Sequence, residues 1–448
     1  MTSKRPSRAQ RLAPSSISST SIAAVLASSV LLTACAGGPA RPTVPIQTGE
    51  PRVDPDPQAG ERTIPIGEDP VIVMTEPDDQ QARALTPKHM EGRTIIRAAV
   101  LLPFTHPNRR VQSEAQGLLA AMELALFEQG DDSFLLIPKD TAGTQTGATE
   151  AAMEAVAEGA DLFLGPLFSA NVQAVKPIAE TADAPIISFS NDPEAGGEGA
   201  YLASLSVEEE VARVVSYARQ SGVETFAFLG PRSDYGYRVE QALRAEAART
   251  GAGLSVSQFY DPASEAPTAE AQIVAEVLKQ EIEFRPDRIA LMIPEDGTRL
   301  RAVAPLIPYF GVDFRRIRML GTSRWATDPS ALREPTLSGA LFAAPPPENL
   351  EAFEASYQRI YGRNAPDLAS HGYDAASIAM VLDKSRRGID AVSLTDEDGF
   401  TGVNGLFRFR EDGRTERSLA VYEIDLREGA VLVERGPAAF ETVFDPIG

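Results

Sequence analysis

The sequence predicts an α/β protein of two doubly wound lobes, each a mostly parallel sheet with helices on both faces, behind a disordered N-terminal linker. Three observations predict it. From Thr94 to Ala343, strand-like and helix-like stretches alternate with few exceptions. The first of these strands, Ile95–Leu102, reads as a continuous apolar run rather than an alternating one, as expected where both faces of a parallel sheet are buried. The alternation restarts after Ser206, so there are two series rather than one long one. A chain of 448 residues is also too long for one compact core and suits two domains or lobes.

The first series opens with Ile95–Leu102, followed by a helix over 111–129 with Leu118, Leu119, Met122, Ala125 and Leu126 on one face. Strand Phe134–Pro138, helix 146–158, strand Asp161–Leu164, helix 169–181 and strand Pro185–Ser190 complete it. The second runs helix 207–220, strand Thr225–Leu229, helix 234–250, strand Leu254–Tyr260, helix 267–283, strand Arg288–Ile293, helix 297–307, and strands Ile317–Gly321 and Gly339–Ala343. Past Pro345-Pro346-Pro347 come helices near 348–361 and 372–386. A hairpin of Gly405–Arg410 and Ser418–Glu423 then turns at Glu411-Asp412-Gly413.

The N-terminal end has a different texture. Lys4, Arg5, Arg8 and Arg11 precede a short apolar run, Ile22 to Leu32, and then Thr33-Ala34-Cys35. That order is a secretory signal peptide, too short in its apolar part to span a bilayer. Cys35 is the chain's one cysteine, and its setting resembles the lipobox of bacterial lipoproteins. The resemblance implies cleavage before Cys35 and lipidation of Cys35. Residues 36–92 hold ten prolines and no Phe, Trp or Tyr, a composition that cannot offset its ordering entropy and reads as a linker. As a flexible coil its ends would lie about 40 Å apart, and fully extended about 180 Å.

Composition narrows the function. Net charge is −21, becoming −25 without the basic leader. Such acidity excludes nucleic acid, whose phosphates need concentrated Lys and Arg, and excludes adhesion to anionic lipid by charge alone. With Cys35 lipidated, no thiol remains for a disulfide, a metal or nucleophilic catalysis. His89, His106 and His371 lack metal-ligand spacing. There is no G-x-S-x-G elbow and no glycine-rich phosphate loop. No catalytic residue, metal or cofactor is expected. Acidic pieces such as Glu208-Glu209-Glu210 read as helix N-termini or solvated loops.

Several motifs occur in a telling order: Val100-Leu101-Leu102-Pro103-Phe104, Phe163-Leu164-Gly165-Pro166-Leu167, Pro185 to Asn191, Asp234-Tyr235-Gly236, and His371-Gly372-Tyr373-Asp374-Ala375. The last is Gly405-Leu406-Phe407-Arg408-Phe409 before Asp412-Gly413. Residues 94–440 thereby resemble type I periplasmic binding proteins, and within them the leucine-binding-protein-like lipoproteins called penicillin-binding protein activators. The resemblance implies two lobes joined by a multi-strand hinge. We divide the chain into 1–34, signal peptide; 35–93, lipidated cysteine and linker; 94–205 plus 347–390, first lobe; and 206–346 plus 391–448, second lobe. The linker stands where the best-known activators carry a helical-repeat domain.

In open parallel sheets ligands sit beyond the carboxyl ends of the strands. Candidates there are Ser169 and Asn171, at a helix start suited to an anion or serving only as a cap. Ser188, Ser190 and Asn191 follow a strand and either bind a ligand or turn the chain. Tyr235 matches the ligand-facing tyrosine of amino-acid-binding relatives, or packs at a helix start. Ser323 and Trp325 share a strand-end loop, where the tryptophan covers a ligand, plugs the cleft or anchors a partner. The amino-acid-binding relatives place an acid on that loop to pair the ligand's ammonium, whereas this chain has Arg324. That departure argues against free amino acids.

Three functions follow. The first, implied by the resemblance, is a non-catalytic periplasmic regulator whose partner is a penicillin-binding protein. The resemblance and Ala36 after the cysteine imply a lipid anchor in the inner leaflet of the outer membrane. The second is a solute-binding lipoprotein of an ABC importer for amino acids or small peptides, with a small molecule in the cleft. The third, a hydrolase, is disfavoured by scarce histidine.

Overall fold

The computed structural model describes residues 86–130, 133–385 and 387–440, all within one compact unit, Val73–Gly448. The expected signal peptide, Cys35 and most of the linker lie outside the described residues. The linker's last part behaves differently from expectation. Lys88–Met90 forms a 3-10 turn with Met90 buried, and Arg97 Nη2 donates to Thr86 Oγ1 at 3.0 Å. The packed first lobe therefore starts before residue 94, because Met90 supplies an apolar anchor.

The first lobe's strands are β1 (Ile96–Leu102), β2 (Phe134–Asp140), β3 (Leu162–Leu164), β4 (Ile186–Ser188) and β5 (Ala200–Leu202), in the order β2-β1-β3-β4-β5. All neighbours are parallel, with Ile96 opposite Phe134 and Ala98 opposite Leu162. The apolar run of β1 has a direct cause. Ala98, Val100 and Leu102 enter one core and Ala99 and Leu101 the other, since successive side chains point to opposite faces. Helices α1 (Arg109–Gln129), α2 (Gln145–Ala157) and α3 (Ser169–Ala182) connect these strands.

The second lobe begins with α4 (Val207–Gln220), started by a capping box in which Ser206 and Glu209 satisfy each other's backbone N–H groups. Then come β6 (Thr225–Pro231), α5 (Asp234–Arg249), β7 (Gly253–Tyr260), α6 (Thr268–Phe284), β8 (Ile289–Met292), α7 (Gly297–Val303), α8 (Leu306–Tyr309), β9 (Arg318–Gly321) and β10 (Leu341–Ala344). The helix expected over 297–307 is two pieces, because Pro305 cannot donate to the ladder and its ring clashes with the preceding turn.

The chain then returns to the first lobe. Helices α9 (Pro347–Tyr361) and α10 (Ala369–Lys384) pack there, α10 along α1. The close crossing needs missing side chains: a Cβ on Gly372 would lie 2.6 Å from the Leu118 carbonyl, and one on Gly117 would lie 2.5 Å from Pro366. A short helix α11 (Ala391–Leu394) leads to a small antiparallel sheet, β11 (Phe400–Gly402), β12 (Gly405–Phe409) and β13 (Thr415–Arg417). Strands β14 (Ala420–Asp425) and β15 (Gly429–Glu434) finish the second sheet, ordered β15-β14-β10-β9-β8-β6-β7, with β14 antiparallel to both β10 and β15.

Two expectations are corrected here. The strand pairing with Gly405–Phe409 is Thr415–Arg417, while the apolar run after Ser418 pairs with β10 in the other sheet. The sequence division places 391–448 wholly in the second lobe, yet Leu394, Phe407 and Phe409 bury in the first-lobe core. Only from β14 onward does the chain join the second sheet.

Three crossovers therefore link the lobes, near 203–206, 344–347 and 417–420. Arg417 reaches back to the first, donating its side chain to the Ala203 carbonyl and its backbone N–H to Glu209 at 2.7 Å. The end of β15 and the residues after it lie against elements that adjoin these crossovers. Glu434 pairs with Arg213 at 2.9 Å, Arg435 with Glu348 at 3.0 Å, and Ser418 donates to the Pro437 carbonyl at 2.6 Å. The Arg408 guanidinium lies 4.5 Å from the Phe440 ring centre.

Candidate functional site

The first lobe's strand ends are built by tight backbone geometry. After β3 a cis peptide joins Gly165 to Pro166, and Gly165 has φ +103. A Cβ there would sit 2.3 Å from the Leu101 carbonyl, so glycine alone fits. Helix α3 starts next, with Phe168, not Ser169, in the cap position and with no side-chain cap. Ser169 is the first helical residue and is half-buried. Asn171 is 2% exposed, and its Nδ2 has no partner among the described residues. The His106 ring covers this corner, 5.7 Å from that of Phe168 and packed on Gly143.

Ser188 and Ser190 are removed from the ligand set. Ser188 is fully buried, donating to the Pro166 carbonyl at 2.9 Å and accepting from the Ser190 N–H at 3.0 Å. Ser190 Oγ accepts from the Asp192 N–H at 3.2 Å. Both hydroxyls fasten the turn after β4. Asn191 is exposed, and its carbonyl accepts from Arg238 of the second lobe at 2.8 Å. Arg238 also pairs with Glu208, so this contact ties the lobes across the cleft.

Trp325 is corrected as well. It is fully buried in the second-lobe core, near Phe342, rather than facing the cleft. Ser323–Thr327 forms a 3-10 turn that folds the indole back over Gly321, where a Cβ would meet the ring at 2.0 Å. Covering a ligand and plugging the cleft are both excluded by that placement.

What converges at the second lobe's strand ends is a polar cluster from three loops. Tyr235, at the start of α5, exchanges a hydrogen bond with Thr322 Oγ1 at 2.7 Å. The Arg324 guanidinium lies 4.4 Å from the Tyr235 ring centre, and its Nε pairs with Asp296 at 2.9 Å. Glu210, from the first turn of α4, is buried and accepts from the Ser323 N–H. Burial pushes its carboxyl up to about 7, against the pull of the Ser323 hydrogen bonds. Burial, then the Glu210 charge, raises the Tyr235 hydroxyl. Beside them the Tyr260 hydroxyl donates to Glu295, whose carboxyl is also raised by burial.

Sequence reasoning named Tyr235 and Ser323 but missed Glu210, Asp296 and Thr322 as members. The signal for Glu210 was its position in a run of three acids, each of which does something different. Glu208 holds Arg238, Glu209 caps α4 and takes the Arg417 N–H, and Glu210 fixes the Ser323 turn. His371 is buried, and burial followed by the nearby Arg417 charge drops its ring to about 3, so it stays neutral. No group of three His, Cys, Asp or Glu suited to a metal occurs among the described residues. None of their helices is long and apolar enough to cross a membrane.

A fold of two mostly parallel sheets with polar strand ends defines a bilobal binding domain. The sequence pattern of the periplasmic binding protein family matches residues 95–430, and the chain belongs to that family. Among relatives, a Rickettsia prowazekii (strain Madrid E) protein described as uncharacterized is 20% identical over 243 residues, 54% of this chain and 63% of that protein. The chain thus spans less than two thirds of that curated relative. A branched-chain amino acid ABC-type transporter structure from Rhodopseudomonas palustris CGA009 superposes with TM-score 0.60 at 17% identity, covering 78% of this chain and 100% of that one. A leucine-binding protein from Thermotoga maritima MSB8 gives TM-score 0.52 at 19% identity, covering 77% and 99%. These likenesses establish the type I, leucine-binding-protein-like fold.

Proposed function

We propose that this protein is a solute receptor of the periplasm, held to a membrane by lipid on Cys35, that hands a small molecule to an ABC-type importer. The observation that carries this reading is the open polar cluster of Tyr235, Asp296 and Arg324 at the second lobe's strand ends. With Trp325 turned into the core, the large side chain that this loop presents at the strand ends is that of Arg324. Family membership and the transporter names of its solved relatives support the reading. Binding between lobes would shift their equilibrium toward closure, with no chemical step. The test is a thermal-shift panel of amino acids, organic acids, short peptides, sugars and nucleosides on the purified chain. A true solute at 100-fold its Kd adds about 2.7 kcal/mol, several degrees in Tm. If the whole panel leaves Tm unmoved, the receptor reading fails. Membrane fractionation of a Cys35→Ser variant tests the anchor, which predicts its release to the soluble fraction.

A second reading is activation of a penicillin-binding protein. One observation favours it: a groove of about 500 Å³ on the first lobe, between α9, α10 and β11, lined by none of the candidate cleft residues. Exposed Val381 on its wall suits a protein contact. Adding the purified chain to a peptidoglycan synthase assay tests it, and an unchanged rate together with no binding would rule it out.

A further inference from the structure

The polar cluster at the second lobe's strand ends already contains a cation of its own. Arg324 sits over the face of Tyr235, where an aromatic ring attracts positive charge. Its Nε is committed to Asp296, but the side chain remains 47% exposed. No hydrogen bond from its terminal nitrogens to a carboxylate or carbonyl occurs among the described residues, although the guanidinium also hydrogen-bonds the Tyr235 hydroxyl. The surrounding acids are all engaged: Asp296 by Arg324, Glu210 by the Ser323 N–H, and Glu295 by the Tyr260 hydroxyl. An incoming ammonium would find the ring face occupied, the acids taken and a like charge at contact distance. An incoming carboxylate would find a planar guanidinium whose five N–H donors outnumber its two partners, Asp296 and the Tyr235 hydroxyl, and so can still pair with it.

We propose that Arg324 sets the charge class of the solute: an organic acid without an ammonium group, its carboxylate gripped by the terminal nitrogens of Arg324 while Tyr235 and Asp296 hold the guanidinium in place. This rests on the solute-receptor reading and deepens it. The pairing of Nε with Asp296 fixes the plane of the fork, and the Tyr235 ring supports it from one face. Thr322, bonded to the Tyr235 hydroxyl, fixes that ring in turn. Little rotamer freedom is then left to lose when the acid arrives, which favours tight pairing.

The test uses matched pairs differing only by the ammonium: propanoate and L-alanine, 4-methylpentanoate and L-leucine, 3-phenylpropanoate and L-phenylalanine, succinate and L-aspartate. Titration calorimetry on the full chain should show, for at least one pair, the acid bound 10-fold or more tighter than its amino acid. Arg324→Gln should weaken that acid 10-fold or more and shrink the ratio within the pair. Arg324→Lys, which keeps the charge but not the fork, should fall between. Thermal melts of both variants show whether the fold is intact. Asp296→Asn provides an independent perturbation, loosening the fork without removing it, and should weaken the acid by a smaller factor. An amino acid binding as tightly as its acid, or an acid unaffected by Arg324→Gln, overturns the proposal. If no pair binds but a sugar, nucleoside or peptide stabilises the chain in the thermal panel, this inference fails and the receptor reading survives. If nothing binds in either experiment, both fail.

Discussion

Glu210 shows how one buried group links the sequence to a measurable property. Its folded carboxyl titrates near 7, well above the range of an unfolded glutamate, because burial penalises the charged form. The folded state therefore holds a proton that the unfolded state has released. Stability from this group is complete below about pH 4.5 and is lost as pH rises through about 7. Each pH unit between those limits costs roughly 1.4 kcal/mol, so the loss is on the order of 3–4 kcal/mol. Glu210→Gln keeps an acceptor for the Ser323 N–H and should flatten this part of the pH profile. Urea midpoints of both proteins at pH 5 and pH 8 check it: an equal change in each would remove Glu210 as the cause. The residue scale is also where sequence reading is least reliable. Trp325 stands out as the single tryptophan on a strand-end loop, yet a tight 3-10 turn over Gly321 buries it. No periodicity marks a turn of five residues. The clue is the small residue four positions earlier, which only the packed structure interprets.

At the scale of elements, what the sequence makes legible follows from two-sided burial. Strands such as β1 and β6 send alternate residues into separate cores, so nearly every position past their start is apolar and the run stands out. Their helices carry clear apolar faces and caps, as in the Ser206 and Glu209 box of α4. The elements that escape lack those marks. β5 and β11 have three residues each, and β15 is half exposed. The partner of β12 is not the next apolar run, which hairpin logic favours. The run from Ala420 is instead claimed by Leu341–Ala344, nearly 80 residues away in the chain. The α1–α10 contact gives a test at this scale. Alanine normally stabilises a helix over glycine by about 1 kcal/mol. At Gly372 the new Cβ would lie 2.6 Å from the backbone carbonyl of Leu118, which has no rotamer to escape through. Gly372→Ala should therefore lower stability, by about 1–3 kcal/mol, despite its better propensity. A higher denaturation midpoint would show that the helices separate more easily than their packing implies.

The whole molecule raises a question that neither lobe answers alone: what limits their relative motion. The three crossovers are expected from the family resemblance, but the segment lying beside them is not, since its contacts join residues remote in sequence. From the last residue of β15 onward the chain touches elements beside the crossovers in turn: α4 through Glu434, the start of α9 through Arg435, and residue 418 through Pro437. Phe440 then packs under the Arg408 guanidinium of the first lobe. These contacts are unequal. The Arg435–Glu348 pair is largely exposed and contributes little. The Arg213–Glu434 pair is more enclosed, and Arg213 also donates to the Leu419 carbonyl, inside the third crossover. Ser418 and Gly436 pack so closely that a Cβ on Gly436 would lie 2.2 Å from the Ser418 hydroxyl. A segment fixed at both ends to different lobes should resist opening more than it stabilises either core. Ending the chain after Arg435 removes the Pro437 and Phe440 contacts while retaining the Arg213 and Glu348 pairs. Hydrogen exchange should then quicken at 203–206, 344–347 and 417–420 before it quickens in β1 or β6, because hinge opening needs no core unfolding. Equal acceleration in the cores would mean that the segment supports the fold as a whole. No acceleration at the crossovers would mean that the lobes are held by Arg417 and Arg238 without it.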